Sequence, residues 1–252
     1  MSQINLFLQK SFGSGNRKLD LGEISYHLTK CAKSGTYIET LGKHADSLHK
    51  WIKDSYEEDF KAAFQKQVKK ALKHLKIRRA KLAFDITHEP FYGKKRNFFI
   101  FDTPMDKKYN GEFRYLVVSL INCKKQIPLM AIPVKIGDYQ ARLVIGLLKY
   151  CSTLFKEIKL ALFDRGFYIA ELIDYLQAKR INYIILVPEK QGIITDYVNQ
   201  TNELKRFWHQ MKFSRDKSTW KPKTFIVICK GIDDFAWIFA TNLKFRTRVE
   251  YI

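Results

Sequence analysis

The chain has 252 residues, 46% of them hydrophobic, with 45 Lys+Arg against 25 Asp+Glu and a formal net charge of +20. That apolar fraction supports a core and excludes wholesale disorder, while the charge speaks to partners, nucleic acid being the most economical, rather than to fold. No apolar stretch is long enough to span a bilayer, the start Met1-Ser-Gln-Ile-Asn-Leu6 lacks the pattern of a secretory leader, and Cys31, Cys123, Cys151 and Cys229 are scattered without CxxC spacing, which suits isolated thiols in a reducing cytoplasm rather than a zinc site.

Residues 1–78 are expected to form a helical domain. Leu21, Ile24 and Leu28 recur at helical spacing. Ser34-Gly35-Thr36 breaks that pattern, Gly42-Lys-His-Ala45 makes a tight turn, and Asp46 or Ser47 caps a helix through Trp51. Helix, glycine-containing turn and helix outline a helix-turn-helix DNA-binding unit, with Ser47, His49 and Lys50 outward and Leu48, Trp51 and Ile52 inward; an ordinary helical hairpin fits the same residues. A longer amphipathic helix follows. Tyr56, Phe60, Phe64, Val68, Leu72 and Leu75 form its apolar stripe, and Lys61, Lys66, Lys69, Lys70, Lys73 and Lys76 crowd the other faces. Residues 1–80 hold 16 Lys+Arg against 8 Asp+Glu, which suits a DNA-facing role and equally a solvated surface. Ile77-Arg-Arg-Ala80 marks the domain boundary.

From residue 79 the pattern changes. Residues 81–86, 98–102, 113–122 and 127–136 are short runs rich in Val, Ile, Phe and Tyr, and Asn110-Gly111 signals a hairpin between the second and third. Helical period returns over 140–155, then a strand at 158–164, a helix at 168–179 and a buried strand at 182–187. Strands at 224–229 and 236–240 close the chain, with a turn at Gly231-Ile-Asp-Asp234. Antiparallel strands, a helix, then strand–helix–strand predict an α/β domain with a mixed sheet and helices on its faces.

The segment 203–223 differs from the rest, with seven Lys+Arg against two acids and with Phe207, Trp208, Phe213 and Trp220 interleaved. Cations for phosphates beside rings for bases suit single-stranded or distorted DNA, with Lys205, Arg206, Trp208, Lys212, Arg215 and Trp220 as candidates. A surface hairpin packing its aromatics on the main sheet explains the rings but not the charge.

Two apolar runs each end in an aspartate, Lys81-Leu-Ala-Phe-Asp85 and Lys159-Leu-Ala-Leu-Phe-Asp164. A carboxylate there serves no packing purpose and is costly to bury unpaired. If the two strands are parallel neighbours, both carboxylates meet at one sheet end, where α/β sheets bind ligands. Such a pair suits two magnesium or manganese ions, one activating a water or a 3′-hydroxyl and one stabilising the leaving oxygen. Lys94, Lys95, Arg96 and Arg165 stand close in sequence to meet a phosphodiester. Taken singly, each aspartate has a simpler reading: Asp85 caps a turn near Thr87 and Pro90, and Asp164 caps the helix near Tyr168. Asp102, Asp233 and Asp234 read as turn residues.

Three segments, Asp85-Ile-Thr-His-Glu-Pro-Phe-Tyr-Gly-Lys94, Leu162-Phe-Asp-Arg-Gly-Phe-Tyr168 and Phe239-Ala-Thr-Asn242, together resemble the DDE transposases of bacterial and archaeal insertion sequences. The resemblance covers about residues 80–252. It implies an RNase H-like catalytic domain over 79–252, Asp85 and Asp164 as the first two catalytic acids, and a β-rich basic insertion over about 190–223 that contacts transposon ends. The family's third acid is a glutamate in a Tyr-x2-Arg-x3-Glu helix. Here Arg246-Thr-Arg-Val-Glu250 meets only part of that pattern, Leu243 stands at the tyrosine position, and ten residues follow Asn242. The expectation is therefore a transposase truncated before its last helix. By this resemblance the chain binds element ends and target DNA and carries out metal-dependent cleavage and strand transfer, in the cytoplasm at the nucleoid. The alternative is a catalytically inactive DNA-binding remnant, or an inhibitor that pairs with itself or with a full-length copy. Another RNase H-like nuclease is a third reading, less well matched by the Asp164 motif.

Overall fold

In the computed structural model, residues 57–94, 97–103, 108–122, 126–188, 193–201, 204–211, 221–232 and 235–243 are described, with isolated positions between 26 and 50. The chain divides into two units, Met1–His74 and Leu75–Ile252. The turn and second helix expected at 42–52 fall almost entirely outside the described residues.

In the first unit the described element is α1 (Glu57–Leu75). Val68 is 4% exposed and Leu72 half-buried, as expected of the apolar stripe. Phe64 and Leu75 of the same stripe are exposed, so the stripe is only partly core.

The second unit is an α/β fold on a mixed nine-stranded sheet among the described residues. Its centre is β1 (Arg79–Phe91), where Ala80, Leu82 and Phe84 are buried and the residues between them are not. That period of two belongs to a strand whose faces differ in cover. On one side β1 pairs antiparallel with β3 (Gly111–Leu120). In turn β3 pairs antiparallel with β4 (Ile127–Val134) and with the two-residue β2 (Ile100–Phe101). On its other side β1 runs parallel to β5 (Glu157–Phe163), and β5 parallel to β6 (Asn182–Leu186). Beyond β6 the sheet continues antiparallel through β9 (Phe235–Thr241), β8 (Lys223–Ile232) and β7 (Leu204–Gln210).

Two helices cover one face of this sheet. Helix α2 (Gln140–Leu154) buries Ala141, Val144, Leu147, Leu148 and Cys151, a stripe of helical period. Helix α3 (Ala170–Ala178) buries Ala170, Leu172, Ile173 and Leu176, and packs on α2 and β6. Gln177 of α3 donates from Nε2 to Tyr183 Oη at 3.0 Å. That locates α3 on the face carrying Tyr183 and Ile185, which by register also carries Phe163 and Phe84. The Phe84 and Phe163 rings stack there, 4.8 Å between centroids. The opposite face has its own cluster: Val227, Cys229 and Phe239 are buried, and Ile184, Leu186, Leu204, Phe225 and Trp237 pack against them.

Two sequence expectations change in detail. The strand expected at 98–102 shrinks to two residues, because Asn97 makes a turn: its Oδ1 accepts Phe99 N–H at 2.9 Å and its carbonyl accepts Ile100 N–H at 3.1 Å. The hairpin expected between the second and third runs forms, β2 antiparallel to β3, with Asn110-Gly111 at the start of β3. Asn110 ties off the end of β1 by donating from Nδ2 to the Tyr92 and Gly93 carbonyls at 3.0 and 3.2 Å. Gly111 is needed for close approach, since a Cβ there would sit 2.5 Å from Ile100 Cγ2 and 3.0 Å from the Phe101 carbonyl oxygen. Second, the segment expected as a β-rich insertion over 190–223 contains a helix, α4 (Ile193–Asn199), and its strand β7 pairs with β8 as an extension of the main sheet.

Candidate metal and nucleic-acid site

The pairing of β1 with β5 brings the two aspartates together. The last parallel pair in register is Phe84 with Phe163, and the next residue on each chain is an aspartate. At ordinary strand spacing their backbones lie about 5 Å apart. Since Phe84 and Phe163 turn toward the helix-covered face, strand alternation sends Asp85 and Asp164 to the other one. Both are exposed.

Neither carboxylate is used structurally among the described residues. Asp164 precedes a 3-10 turn at Arg165–Phe167 in the N-cap position, yet its side chain makes no cap hydrogen bond. Asp85 does not end a strand either, because β1 continues to Phe91, paired with β3 from Asp85↔Val117 through Phe91↔Gly111. Strand β5 stops at Phe163, so β1 outruns its parallel neighbour by the whole stretch from Asp85 onward. The carboxylates therefore stand at a step in the sheet, where the β5 side of β1 is no longer paired.

The same register places the basic candidates. Leu186, Phe239, Val227 and Arg206 form one row across β6, β9, β8 and β7, and Asp164, the residue after the last β5–β6 pair Phe163↔Ile185, stands at its head. Arg206 and Trp208 thus share the carboxylates' sheet face. Arg206 lies four strand spacings from Asp164, roughly 19 Å. Arg206 is half-buried, and Trp208 is 59% exposed with its ring 5.3 Å from Phe225. Lys205 faces the other way, its Nζ 4.1 Å from the centroid of the Tyr197 ring, and Phe207 packs on that ring at 4.3 Å. Arg165 is exposed beside Asp164, and Lys94 is exposed just past the end of β1. Lys95, Arg96, Lys212, Arg215, Trp220 and Glu250 lie outside the described residues.

Sequence reasoning missed a charged cluster on the extension of β1. Glu112 of β3 is 8% exposed. Its Oε1 accepts from His88 Nδ1 and from Arg114 Nε, each at 2.8 Å, and the Arg114 guanidinium lies 4.2 Å over the Phe101 ring. Burial alone pushes the Glu112 carboxyl up. The hydrogen bonds from His88 and Arg114, with their charges, outweigh it and hold the group below the usual carboxylate range. The available signal was Glu112 and Arg114 two apart in an apolar strand, hence on one face.

The Thr241-Asn242 pair moors the opposite end of β6. Asn242 Oδ1 accepts Tyr183 N–H at 3.0 Å, its Nδ2 donates to the Ile181 carbonyl at 3.1 Å, and Thr241 Oγ1 donates to the Tyr183 carbonyl at 2.6 Å.

The fold and site define an α/β protein with a paired carboxylate at a step in its mixed sheet. No protein family matches the chain at the level of sequence, and no curated protein does. Among solved structures it is similar to the piggyBac transposase in its synaptic complex with hairpin DNA, with a TM-score of 0.46 and 12% identity over 96% of this chain and 51% of that one. The chain thus spans about half the length of that transposase. Among the described residues no group of three His, Cys, Asp or Glu is placed to hold a metal ion, and no helix is long and apolar enough to cross a membrane.

Proposed function

We propose that the chain is a DNA-handling protein of transposase type, whose RNase H-like domain uses Asp85 and Asp164 to hold divalent metal for cleaving and joining DNA strands at the ends of a mobile element. The observation that carries this reading is the parallel β1–β5 register, which sets the two aspartates side by side with no structural partner among the described residues. The strand order supports it. Counting β1, β3, β4, β5 and β6 as one to five, the sheet runs three-two-one-four-five, with two and three antiparallel to their neighbours and four and five parallel. That order puts the two aspartate-bearing strands, β1 and β5, side by side in the middle of the five.

The donor set fits magnesium or manganese, both of which take carboxylate oxygen and keep waters. When bound, such ions supply a nucleophilic oxygen and charge stabilisation for in-line displacement at phosphorus. The protein's own part is placement. The rigid strand pair holds both carboxylates at one edge, and the stacked Phe84 and Phe163 rings beneath them fix the register. Arg165 offers a cation to the phosphodiester beside Asp164, whereas Lys94 lies past the far end of β1, roughly 20 Å or more from Asp85. Arg206 and Trp208 lie farther along the same face, beyond the buried Phe239 and Val227, with Trp208 exposed and available to stack on an unpaired base.

The test uses duplexes carrying the DNA that flanks the gene. The reading predicts strand cleavage that requires magnesium or manganese and falls at least ~100-fold in Asp85→Asn and in Asp164→Asn, a loss of the size expected when a transition-state stabiliser is removed. Cleavage that both variants retain contradicts it. Glu250→Gln, in the same assay, tests whether that residue completes the acid set.

A further inference from the structure

Helix α1 carries a stripe of lysines that the carboxylate site does not account for. Lys66, Lys69, Lys70 and Lys73 follow one another at i, i+3, i+4 and i+7, which gathers them within about a third of the helix circumference. All four are exposed. On the opposite side Val68 is 4% exposed and Leu72 half-buried, while Phe64 and Leu75 of the same stripe are exposed. From Lys61 to Leu75 the helix holds five lysines and no acid. A merely solvated helix face ordinarily mixes signs, because like charges at these spacings repel and weaken the helix. Here four such neighbouring pairs (66–69, 66–70, 69–73 and 70–73) stand together, and none of the four lysines has an ion-pair partner among the described residues.

We infer that this stripe is a docking surface for the phosphate backbone of duplex DNA. The stripe is about 10 Å long, and a duplex presents one charge per about 1.7 Å of its axis with both strands counted, so roughly six phosphates lie within that length, enough to meet four lysines. Contact through flexible ammonium groups, without rings or hydrogen-bonding amides in the arc, reads no base sequence. The surface therefore binds any duplex, and its role is to hold DNA while other parts of the chain act. A lipid surface fits less well, since a helix lying in a membrane interface needs its apolar face free, and that of α1 is covered at Val68 and partly at Leu72. The inference rests on the DNA-handling reading above for the identity of the polyanion, but not on the carboxylate chemistry.

The experiment measures binding of the full chain to a duplex of arbitrary sequence, without divalent metal, across a range of salt concentrations. Each phosphate contact contributes about 0.9 to the slope of log K against log salt. Replacing Lys66, Lys69, Lys70 and Lys73 by Gln should lower the magnitude of that slope by about 3 to 4, equally on unrelated sequences. Replacing all four by Arg should preserve it, which separates lost charge from a damaged helix. A Gln variant that binds duplex DNA with an unchanged slope overturns the stripe while leaving DNA handling intact. A wild-type chain that binds no duplex overturns both, and a chain that binds vesicles of anionic lipid but no duplex overturns both in favour of a membrane surface.

Discussion

Asp85 and Asp164 occupy unlike positions on like strands. Asp164 ends its strand, whereas Asp85 sits where β1 leaves β5 behind and carries on with β3. The sequence pattern of an apolar run closing on an aspartate pointed to both, because each run is the buried part of a central strand. It did not reveal that β1 continues, since Thr87, His88, Glu89 and Pro90 read as loop. Those polar residues become strand because β3 pairs with them and because Glu112 accepts hydrogen bonds from His88 across the ladder and from Arg114 on its own strand. Glu112→Gln should lower stability by roughly 1–3 kcal/mol at neutral pH, the usual penalty for weakening a buried charged hydrogen bond. The carboxyl's folded value is depressed, so its contribution is present above the ordinary carboxylate range near 4 and is lost as pH falls through the lower folded value. Denaturant unfolding at pH 7 and at successively lower pH checks both points: the gap between the two proteins should be full at pH 7 and should narrow as the pH falls below the ordinary carboxylate range.

At the scale of elements, long periodic segments were legible and short special ones were not. The helices expected at 140–155 and 168–179 appear as Gln140–Leu154 and Ala170–Ala178, because their apolar stripes also pack on the sheet. The hairpin that Asn110-Gly111 signalled forms between β2 and β3, with Gly111 as the first residue of β3; there Asn110 donates to the Tyr92 and Gly93 carbonyls and Ile100 fills the space above the glycine. Gly111→Val should therefore destabilise by steric conflict with Ile100 and the Phe101 carbonyl, by about 1–3 kcal/mol. The Thr241-Asn242 pair was visible only as part of a resemblance, and the structure supplies its physical work. Asn242→Ala would leave Tyr183 N–H and the Ile181 carbonyl without their side-chain partner, and should lower stability by about 1–3 kcal/mol. Thermal unfolding of both variants reads these losses directly. A Trp208→Ala change, at an exposed position on an edge strand, should cost under about 1 kcal/mol.

For the whole molecule, a net charge of +20 sets a field that attracts polyanions over the entire surface. What distinguishes a site from that background is arrangement: two carboxylates side by side on one sheet face, Arg206 and Trp208 farther along it, and a single-signed lysine stripe on α1. Composition alone could announce the field but not the arrangement, because the row from Asp164 to Arg206 joins residues far apart in sequence through four strand pairings. The central claim is that Asp85 and Asp164 form one divalent-metal site. It is tested most directly by titrating manganese into the DNA-free protein and following the free ion by electron paramagnetic resonance. The account predicts that Asp85→Asn and Asp164→Asn each weaken binding at least ~10-fold, and that the double variant is scarcely worse than either, as residues acting in one site should behave. Equal manganese affinity in the wild type and both single variants would contradict it.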